Sequence, residues 1–475
     1  MKITKSLSLA LLLFFYTNAD ATKWQVGASR TYKVPGAVAG LVNNGDTVEV
    51  DAGTYTADKC YWSKSNLTLK GIGGIAHLNA NNTAYGRKAI WVIGGNNCTV
   101  ENIEFSNCHD VTGVDKNWAG IRLEGSGFTV KNCYFHNNDN GILGGSSGDV
   151  IIEFSEFSNN GFGDGYSHGI YINHTNSLTV RYCYFHHSKV GHEIKSRSHK
   201  NYILYNRIMN EASGTASREI DLPNGGLAII IGNLIQQGPN TQNEEMLGYG
   251  REGLSNNPPH ELYVVNNTFV NQRGANGVFV GFPESTELLK LYNNIFTGLP
   301  YTIISNNPVS LDSLANIIIP NPPNVEFENL SGYDYNLKST SVAINKGRNP
   351  GYAGTFLLKP DKQYLYPKDF VPRTTIDSID VGAYEYGLAT YLGEKRYFTD
   401  FTFYNDSMNK KIIVKINDDT ASALIYIYDI SGRIVCNKNV KDKNFEWQYN
   451  NFSKGTYVMK IVANNRESTR KFQIN

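Results

Sequence analysis

Short runs of alternating hydrophobic and polar residues recur through the middle of the chain. One type of run begins at or near a glycine, as in GIRLEG. A second type ends in Phe or Ile and carries a marked, often polar, position two residues earlier, as in TVKNCYF. A period of two predicts β-strands. Repeats of this size bury their apolar face only by stacking, so we predict a solenoid. The first type of run starts at intervals of 21 to 30 residues, at Gly120, Gly141, Gly169, Gly191, Arg218, Leu247 and Gly277.

The position two residues before that Phe or Ile holds different residues in the early repeats and an asparagine in the later ones. Its occupants are Ile103, Cys133, Ser155, Cys183, Asn206, Asn233, Asn267 and Asn294. Asparagines at one position of successive coils can hydrogen-bond the turns above and below, so we predict an asparagine ladder. Cys133 and Cys183 would lie two rungs of about 4.8 Å apart. That separation is too long for a disulfide, and we interpret both as inward-facing packing residues.

Composition supports strands and turns and excludes several classes of protein. The 475 residues include 45 Gly, 30 Tyr and 55 Asn, a mixture that favours strands and tight turns over helices. A hydrophobic content of 41% argues against disorder, and a net charge of +1 argues against nucleic-acid binding. The six cysteines form no C-x-x-C pair, and no metal-binding spacing is evident.

The first 21 residues have the features of a secretory signal peptide. Lys2 and Lys5 precede a short apolar run from Leu7 to Tyr16, and Ala19-Asp20-Ala21 fits the rule for signal-peptidase cleavage. The run is too short to span a bilayer well, and we predict no transmembrane segment.

A change of composition near residue 387 marks a second domain. Residues 397–475 carry a charge of +4, which leaves −4 on residues 22–396. The segments IYIYDISGRIV and FSKGTYVMKI and the closing strand resemble the β-sandwich sorting domain of Bacteroidetes type IX secretion. That resemblance implies the type IX machinery as a partner and a secreted or cell-surface location. We therefore divide the chain into a signal peptide (1–21), a solenoid (22–387), a linker (388–396) and a sorting domain (397–475).

The solenoid resembles a known all-β fold at both of its ends. NNGDTVEVDAGTY (43–55) is similar to the opening coil, and TIDSIDVGAYEYG (375–387) to the closing segment, of the right-handed parallel β-helix superfamily of pectate-lyase type. The resemblance implies a right-handed parallel β-helix, followed here by the β-sandwich. It also implies a carbohydrate-active protein with a polysaccharide partner, and we expect a monomer.

Charged residues concentrate on two successive coils of this charge-poor chain. Alternation around Ile170, Ile194 and Ile220 predicts which neighbours point outward. We align Tyr171 with Glu193 and Glu219 in one outward column, and interpret His192 as a packing residue. Loops add His168, Asn224, Tyr249 and Arg251. The predicted outward residues are Tyr171, Asn173, Glu193, Lys195, Arg197, Glu219 and Asp221, with Arg218 beside them.

A cation beside a base suits β-elimination from a uronic-acid polymer. This reaction needs the sugar carboxylate neutralised and the C5 proton removed. The catalytic candidates are Lys195 as base, Arg197 or Arg218 for the carboxylate, Asp221 and His168. The candidate substrate-binding residues are Tyr171, Asn173, Asn224, Tyr249 and Arg251. Glu193, Glu219 and Asp221 are candidate ligands of a Ca²⁺ cofactor.

The segment EIKSRSHKNYILYNRI is faintly similar to the Lys-Ser segment of polysaccharide lyase family 6, which acts on chondroitin and alginate. The resemblance is consistent with Lys195 as the base. Where that family carries a catalytic arginine on the next coil, this chain has the segment from Asp221 to Gly225.

Two other classes of function compete with the lyase. Glu219 and Asp221 would be about 7 Å apart, and Glu193 and Asp221 about 8 Å. Both separations suit an inverting glycoside hydrolase, and a uronate C5-epimerase would share the lyase's first step. The Tyr- and Asn-rich surface also fits a glycan-binding adhesin without catalysis.

Overall fold

The computed structural model describes most of the solenoid and the strands of the C-terminal unit. The described residues are 21–299, 301–375, 377–388, 401–406, 410–416, 423–429, 433–440, 444–449, 452–463 and 466–474. Residues 1–20 of the predicted signal peptide and most of the predicted linker lie outside them. Two compact units are separated between Leu388 and Ala389. No helix in the described part of the chain has both the length and the apolar character needed to cross a membrane.

The solenoid consists of coils, and each coil contributes one strand to each of three faces. The strands within a face are parallel, which confirms the predicted stacking. The first face is a ten-stranded parallel sheet. Its strands are Cys60–Trp62, Ala89–Ile93, Ala119–Leu123, Asn140–Gly144, Ile170–Ile172, Ile194–Ser196, Ile220–Leu222, Glu245–Tyr249, Gly277–Gly281 and Tyr301–Ile304.

The second and third faces form one 21-stranded parallel sheet, because the long strands Thr47–Thr56 and Thr68–Asn79 continue from one face onto the other, with Lys23–Val26 at the edge. The other second-face strands are Cys98–Glu101, Phe128–Lys131, Asp149–Glu153, Ser177–Arg181, Lys200–Leu204, Leu227–Ile231, Glu261–Val265, Leu288–Tyr292 and Ser310–Leu314. The other third-face strands are Ile103–Ser106, Tyr134–His136, Glu156–Ser158, Tyr184–His186, Arg207–Met209, Leu234–Gln237, Thr268–Asn271, Ile295–Thr297 and Ile317–Ile319.

Aromatic stacking fills the interior of the early coils. Phe105, Phe135, Phe157 and Phe185 occupy equivalent inward positions, with ring centroids 4.5 to 4.9 Å apart and nearly parallel planes. Each is fully buried. The spacing matches the distance between paired strands, so strand pairing and ring stacking reinforce each other.

The predicted asparagine ladder is present in the later coils, at the turn between the second and third faces. Oδ1 of Asn233 accepts hydrogen bonds from the backbone N–H (2.9 Å) and the side-chain amide (3.0 Å) of Asn206. The pattern repeats from Asn233 to Asn267, from Asn267 to Asn294 and from Asn294 to Asn316. Cys133 and Cys183 occupy the same slot lower in the solenoid, buried and unpaired as predicted.

The C-terminal end of the solenoid unit contains short irregular elements. Antiparallel pairs form between Phe327–Asn329 and Asp334–Leu337, between Tyr352–Ala353 and Phe356–Leu357, and between Lys362–Leu365 and Asp369–Pro372. Short 3-10 helices lie at Pro35–Ala37 and Pro322–Val325. Arg373 and Glu385 form a buried ion pair of 2.9 Å that ties the closing segment together.

The C-terminal unit contains two antiparallel sheets. One has the strands Phe401–Asp406, Lys411–Ile416 and Asn444–Gln448, and the other has Ile434–Val440, Ala423–Asp429, Gly455–Ala463 and Arg466–Ile474. Ile412, Ile425, Met459 and Ile461 are fully buried in their common core. This agrees with the predicted small β-sandwich. Residues 430–432 of the predicted hairpin turn lie outside the described residues.

Candidate active site

Three adjacent strands of the first face bring the candidate residues together. Tyr171 pairs with Lys195, and Lys195 pairs with Asp221 on the next strand. Their isoleucine neighbours, including Ile194 and Ile220, are fully buried, so the middle residue of each strand points outward. The outward column is therefore Tyr171, Lys195 and Asp221.

The predicted alignment of Tyr171 with Glu193 and Glu219 is wrong by two residues. Glu193 and Glu219 lie just before their strands and are fully buried. Oε1 of Glu193 accepts the backbone N–H of Ser188 at 2.9 Å, and its Oε2 accepts the Ser188 hydroxyl at 2.6 Å. Glu219 accepts a hydrogen bond of 2.7 Å from the amide of Asn210. In the earlier coils a glycine occupies this position just before the strand. Because glycine has no side chain, those coils give no sign that a side chain at this position points inward.

Lys195 lies between two carboxylates. Its Nζ is 3.2 Å from Oδ2 of Asp221 and 3.0 Å from Oε1 of Glu252, and it lies over the ring of Tyr171. The two carboxylate oxygens are thus within about 6 Å of each other. Lys195 is 8% exposed and Asp221 is 1% exposed, whereas the Glu252 side chain is 46% exposed. Glu252 is the member of this group that solvent or a ligand reaches most easily.

Arg197 connects three other residues of the site. Its Nε donates to the hydroxyl oxygen of Tyr171 at 2.7 Å, Nη1 donates to Oδ1 of Asn224 at 2.6 Å, and Nη2 donates to Oε2 of Glu252 at 2.5 Å. Asn224 in turn donates to the hydroxyl of Ser255 at 2.6 Å. Although partial burial opposes the shift, the hydrogen bonds from Arg197 and Lys195 hold the pKa of Glu252 below its usual value.

A second ion-pair network lies beside the first. Arg218 donates to Oδ1 of Asp221 at 2.9 Å and to Oε2 of Glu245 at 2.8 Å. Nε of Arg251 also donates to Glu245, at 2.7 Å. Asp221 therefore connects Lys195 with Arg218, and Glu245 connects Arg218 with Arg251. Each planar guanidinium is held by more than one contact, which fixes its orientation.

Two stacked histidines line the same site. The rings of His168 and His192 are 4.9 Å apart and within 3° of parallel, and Nε2 of His192 lies 3.4 Å from Oδ2 of Asp221. The interpretation of His192 as a packing residue is thus wrong, because it faces this cluster. Burial lowers the pKa of both imidazoles well below the usual value, and the Lys195 charge adds to the shift.

The backbone defines the tautomers of these histidines. Nδ1 of His168 accepts the backbone N–H of His192 at 3.0 Å, and Nδ1 of His192 accepts the backbone N–H of Arg218 at 3.1 Å. Both neutral rings therefore carry their proton on Nε2. His192 can donate that proton towards Asp221. The ring of His168 lies next to that of Tyr171, with centroids 5.4 Å apart and the two planes nearly perpendicular.

Two predicted substrate-binding residues do not join the cluster. Tyr249 points inward, is fully buried, and donates its hydroxyl hydrogen to the carbonyl of Gly226 at 2.6 Å. A role for Tyr249 in contacting substrate is therefore wrong. Asn173 lies just beyond its strand, on the exposed surface next to the cluster.

The predicted calcium ligands do not converge. Glu193 and Glu219 are inside the solenoid, and Asp221 already contacts Lys195 and Arg218. In the described part of the chain, the His, Cys, Asp and Glu side chains close enough to share one ion are His77, Glu104 and His136. Glu193, Glu219 and Asp221 are not among them, and a calcium requirement stays a prediction.

Glu193→Gln is expected to raise stability at neutral and alkaline pH but not in acid. Burial raises the pKa of the Glu193 carboxyl to about 7, against 4.5 for an ordinary glutamate, although the hydrogen bonds from Ser188 oppose the shift. The native state thus keeps a proton that the unfolded chain releases. The stability that this group contributes is complete below pH 4.5 and is lost as the pH rises to about 7.

Urea denaturation at pH 5 and pH 8 measures this effect. The glutamine variant should gain on the order of 3 kcal/mol over the wild type at pH 8 and much less at pH 5. Glu124→Gln is the matched control, because Glu124 is exposed and pairs with Lys88 at the surface, and its effect should stay below about 1 kcal/mol. An equal gain for Glu193→Gln at both pH values would contradict the assignment.

Two members of the site, Glu252 and Glu245, are absent from the predicted catalytic set. Both belong to the charge-rich segment QNEEMLGYGREG, which also carries the predicted candidates Tyr249 and Arg251. Glu252 follows a first-face strand, and its contacts with Lys195 and Arg197 span 57 and 55 residues. The density of charge in the segment is the only signal of its role, since alternation says nothing about residues beyond a strand end.

Comparison with known families agrees with the two units. The family model described as a right handed beta helix region matches residues 52–217, and the model described as a secretion system C-terminal sorting domain matches residues 404–475. None of the curated proteins matches this chain.

Solved structures with some similarity include two carbohydrate-modifying enzymes. The pectin methylesterase from Aspergillus niger in deglycosylated form is 14% identical, with 72% of this chain and 96% of that chain covered and a TM-score of 0.31. The A-module of a mannuronan C-5 epimerase from Azotobacter vinelandii is 12% identical, with 58% and 91% covered and a TM-score of 0.32. The parallel faces and the two family matches identify the chain as a right-handed parallel β-helix protein with a type IX secretion sorting domain, secreted or displayed at the cell surface.

Proposed function

We propose that the protein is a polysaccharide lyase that cleaves a uronic-acid-containing polymer by β-elimination. The observation that carries the proposal is the position of the Glu252 carboxylate, with one oxygen 3.0 Å from Lys195 and the other 2.5 Å from Arg197. Two cations on a rigid sheet thus already hold one carboxylate at the solvent-facing side of the site. The carboxylate of a uronic-acid residue has the same shape and charge and can replace it.

In this proposal the substrate carboxylate displaces Glu252 and binds Arg197. Displacement of Glu252 frees Nζ of Lys195 from one of its two carboxylate contacts, and Lys195 acts as the base in its neutral amine form. Lys195 then removes the C5 proton of the sugar, and the electron pair forms the C4–C5 double bond as the C4–O4 bond breaks. Arg197 stabilises the negative charge that develops on the carboxylate group in the transition state.

The leaving oxygen needs a proton, and Tyr171 is placed to supply it. Its hydroxyl oxygen accepts a hydrogen bond from Arg197, which leaves its own hydrogen free for the substrate. Its ring centre lies 5.6 Å from the Lys195 ammonium and 5.4 Å from the ring centre of His168. Base and acid would therefore act on neighbouring atoms of the sugar from adjacent strands.

The carboxylates of the site suit a hydrolase less well. Both predicted hydrolase pairs contain a buried glutamate, Glu219 or Glu193, which a sugar cannot reach. The remaining pair, Asp221 and Glu252, is within about 6 Å, short of the roughly 6.5–9.5 Å of inverting enzymes. Retaining enzymes use a shorter separation of roughly 5–5.5 Å, but Asp221 is only 1% exposed and is held by Lys195 and Arg218, which disfavours it as a nucleophile. The lowered pKa of Glu252 also disfavours it as a proton donor.

Incubation with a panel of uronic-acid polysaccharides, with and without a chelator, tests the proposal. A lyase produces new chain ends with a C4–C5 double bond that absorbs in the ultraviolet. New reducing ends without that absorbance would indicate a hydrolase, and inverted C5 centres without new ends an epimerase. Binding without any change in the polymer would indicate a glycan-binding protein. Loss of activity with the chelator, restored by Ca²⁺, would support the calcium prediction.

Arg197→Lys is expected to lower kcat/KM on the cleaved polymer by about 100-fold. Lysine keeps the charge but cannot contact Tyr171, Asn224 and a carboxylate together, as the planar guanidinium does. Steady-state kinetics checks this, with Arg181→Lys as control because Arg181 lies on the second face and pairs with Glu153. Equal kinetics for Arg197→Lys and the wild type would rule out a specific role for the guanidinium.

A further inference from the structure

A second cluster of ionisable side chains lies on the third face, outside the site described above. His77, Glu104 and His136 come from three adjacent strands, with His77 paired to Glu104 and Glu104 paired to Tyr134. Their neighbours Leu78, Phe105 and Phe135 are fully buried, so the three ionisable residues point outward. Each side chain is between 17% and 24% exposed, which leaves the cluster accessible from solvent.

The ring nitrogens of both histidines converge on one carboxylate. Nε2 of His136 is 2.9 Å from Oε1 of Glu104, and Nε2 of His77 is 3.3 Å from the same oxygen. One potential ligand atom from each residue lies within 4.8 Å of the other two. Nε2 of His77 is also 2.7 Å from the hydroxyl of Ser106. Three donors around one point leave room for a small cation with a further, open position.

We propose that His77, Glu104 and His136 form a binding site for a divalent transition-metal ion, with Zn²⁺ as the best fit. Zn²⁺ takes imidazole nitrogens and carboxylate oxygens at roughly 2.0–2.2 Å in a tetrahedral arrangement, and two histidines with one carboxylate supply three of its ligands. Water or the Ser106 hydroxyl would take the fourth position. A hard cation such as Ca²⁺ prefers oxygen ligands only, and this donor set selects against it.

Neighbouring side chains hold the ligands in orientations suited to a metal. The ring of Tyr134 stacks on His136 with centroids 4.4 Å apart. Nδ2 of the Asn137 amide lies 3.0 Å from Nδ1 of His136, and a half-turn rotation of that amide would present its oxygen to the Nδ1–H of the tautomer that coordinates through Nε2. Such outer contacts orient the imidazole in metal sites.

A similar but non-converging group on the same face provides a control. His186 occupies the position equivalent to His136 two strands further on, and its Nε2 is 3.3 Å from Glu156. Nδ1 of the neighbouring His187 lies 2.8 Å from Nδ1 of His186, and its Nε2 lies 4.0 Å from Glu211 and not near Glu156. This group has comparable residues and exposure but does not bring three ligands to one point.

Titration of the chelator-treated, full-length protein with Zn²⁺ by calorimetry tests the site. The wild type should bind one Zn²⁺ per chain at this cluster. His77→Gln and His136→Gln should each weaken that binding by more than about tenfold, whereas His186→Gln should leave it unchanged. Circular dichroism spectra and thermal unfolding verify that the variants remain folded.

Co²⁺ provides an independent readout on the wild-type protein. Bound at a four-coordinate nitrogen and oxygen site, it should give intense visible absorption bands that Zn²⁺ displaces. The proposal is overturned if the wild type binds neither ion, or if the double variant His77→Gln/His136→Gln binds Zn²⁺ as tightly as the wild type does. The cluster would then be a hydrogen-bonded surface group of the kind that His186 forms.

Discussion

Replacement of Lys195 by alanine is expected to reduce cleavage of the polysaccharide by 10²- to 10⁴-fold, the usual contribution of a general base. The variant removes the nitrogen that lies between Asp221 and Glu252, and with it the proposed acceptor of the C5 proton. Ultraviolet absorbance of the unsaturated product measures the rate. The loss should appear in kcat, because Arg197 remains to bind the substrate carboxylate.

A structural explanation for such a loss has to be separated from a chemical one. Removal of Lys195 leaves the buried Asp221 with Arg218 at 2.9 Å, so that carboxylate keeps a cation. Lys200→Ala is the matched control, since Lys200 lies on the second face and is exposed. If Lys195→Ala kept full activity while Arg197→Lys lost it, the base would have to be another group, and Tyr171 would be the first to examine.

Substitution of Asn233 by alanine is expected to destabilise the solenoid by about 3–5 kcal/mol. The Asn233 side chain is fully buried, accepts two hydrogen bonds from Asn206, and donates to the carbonyl of Ile203 at 2.8 Å and to Asn267 at 2.9 Å. Each buried group left without a partner costs about 1–3 kcal/mol. The substitution also interrupts the ladder in its middle, where the rungs on both sides depend on it.

Urea denaturation of the two proteins, followed by circular dichroism, measures this effect. Asn173→Ala is a suitable control because Asn173 is exposed, and its effect should stay within about 0.5 kcal/mol. A loss of less than about 1 kcal/mol for Asn233→Ala would mean that water or a shifted neighbour satisfies the exposed ladder groups. The ladder would then be a consequence of coil stacking and not a cause of its stability.

The candidate site was predictable in part. Charge density and alternation predict Lys195, Arg197, Arg218 and Asp221, and the loop before a first-face strand adds His168. The structure brings these residues together. The predicted set of calcium ligands was wrong, because Glu193 and Glu219 occupy a corner where the chain turns between faces. Alternation assigns sides only within a strand, and it loses its phase at a turn. A two-residue error in register therefore moved two buried carboxylates onto the predicted surface.

The sequence by itself determined the repeat, the strands, the inward cysteines and the asparagine ladder. Each of these follows from interactions that recur at a fixed interval, so one local pattern repeated along the chain is sufficient to predict them. Only the tertiary structure decided that Glu252 lies against Lys195 and Arg197, that His192 faces Asp221, and that two histidines converge on Glu104. These contacts join residues 27 to 57 positions apart on different coils. Their geometry depends on how far each turn and loop reaches, a quantity that no periodic pattern records.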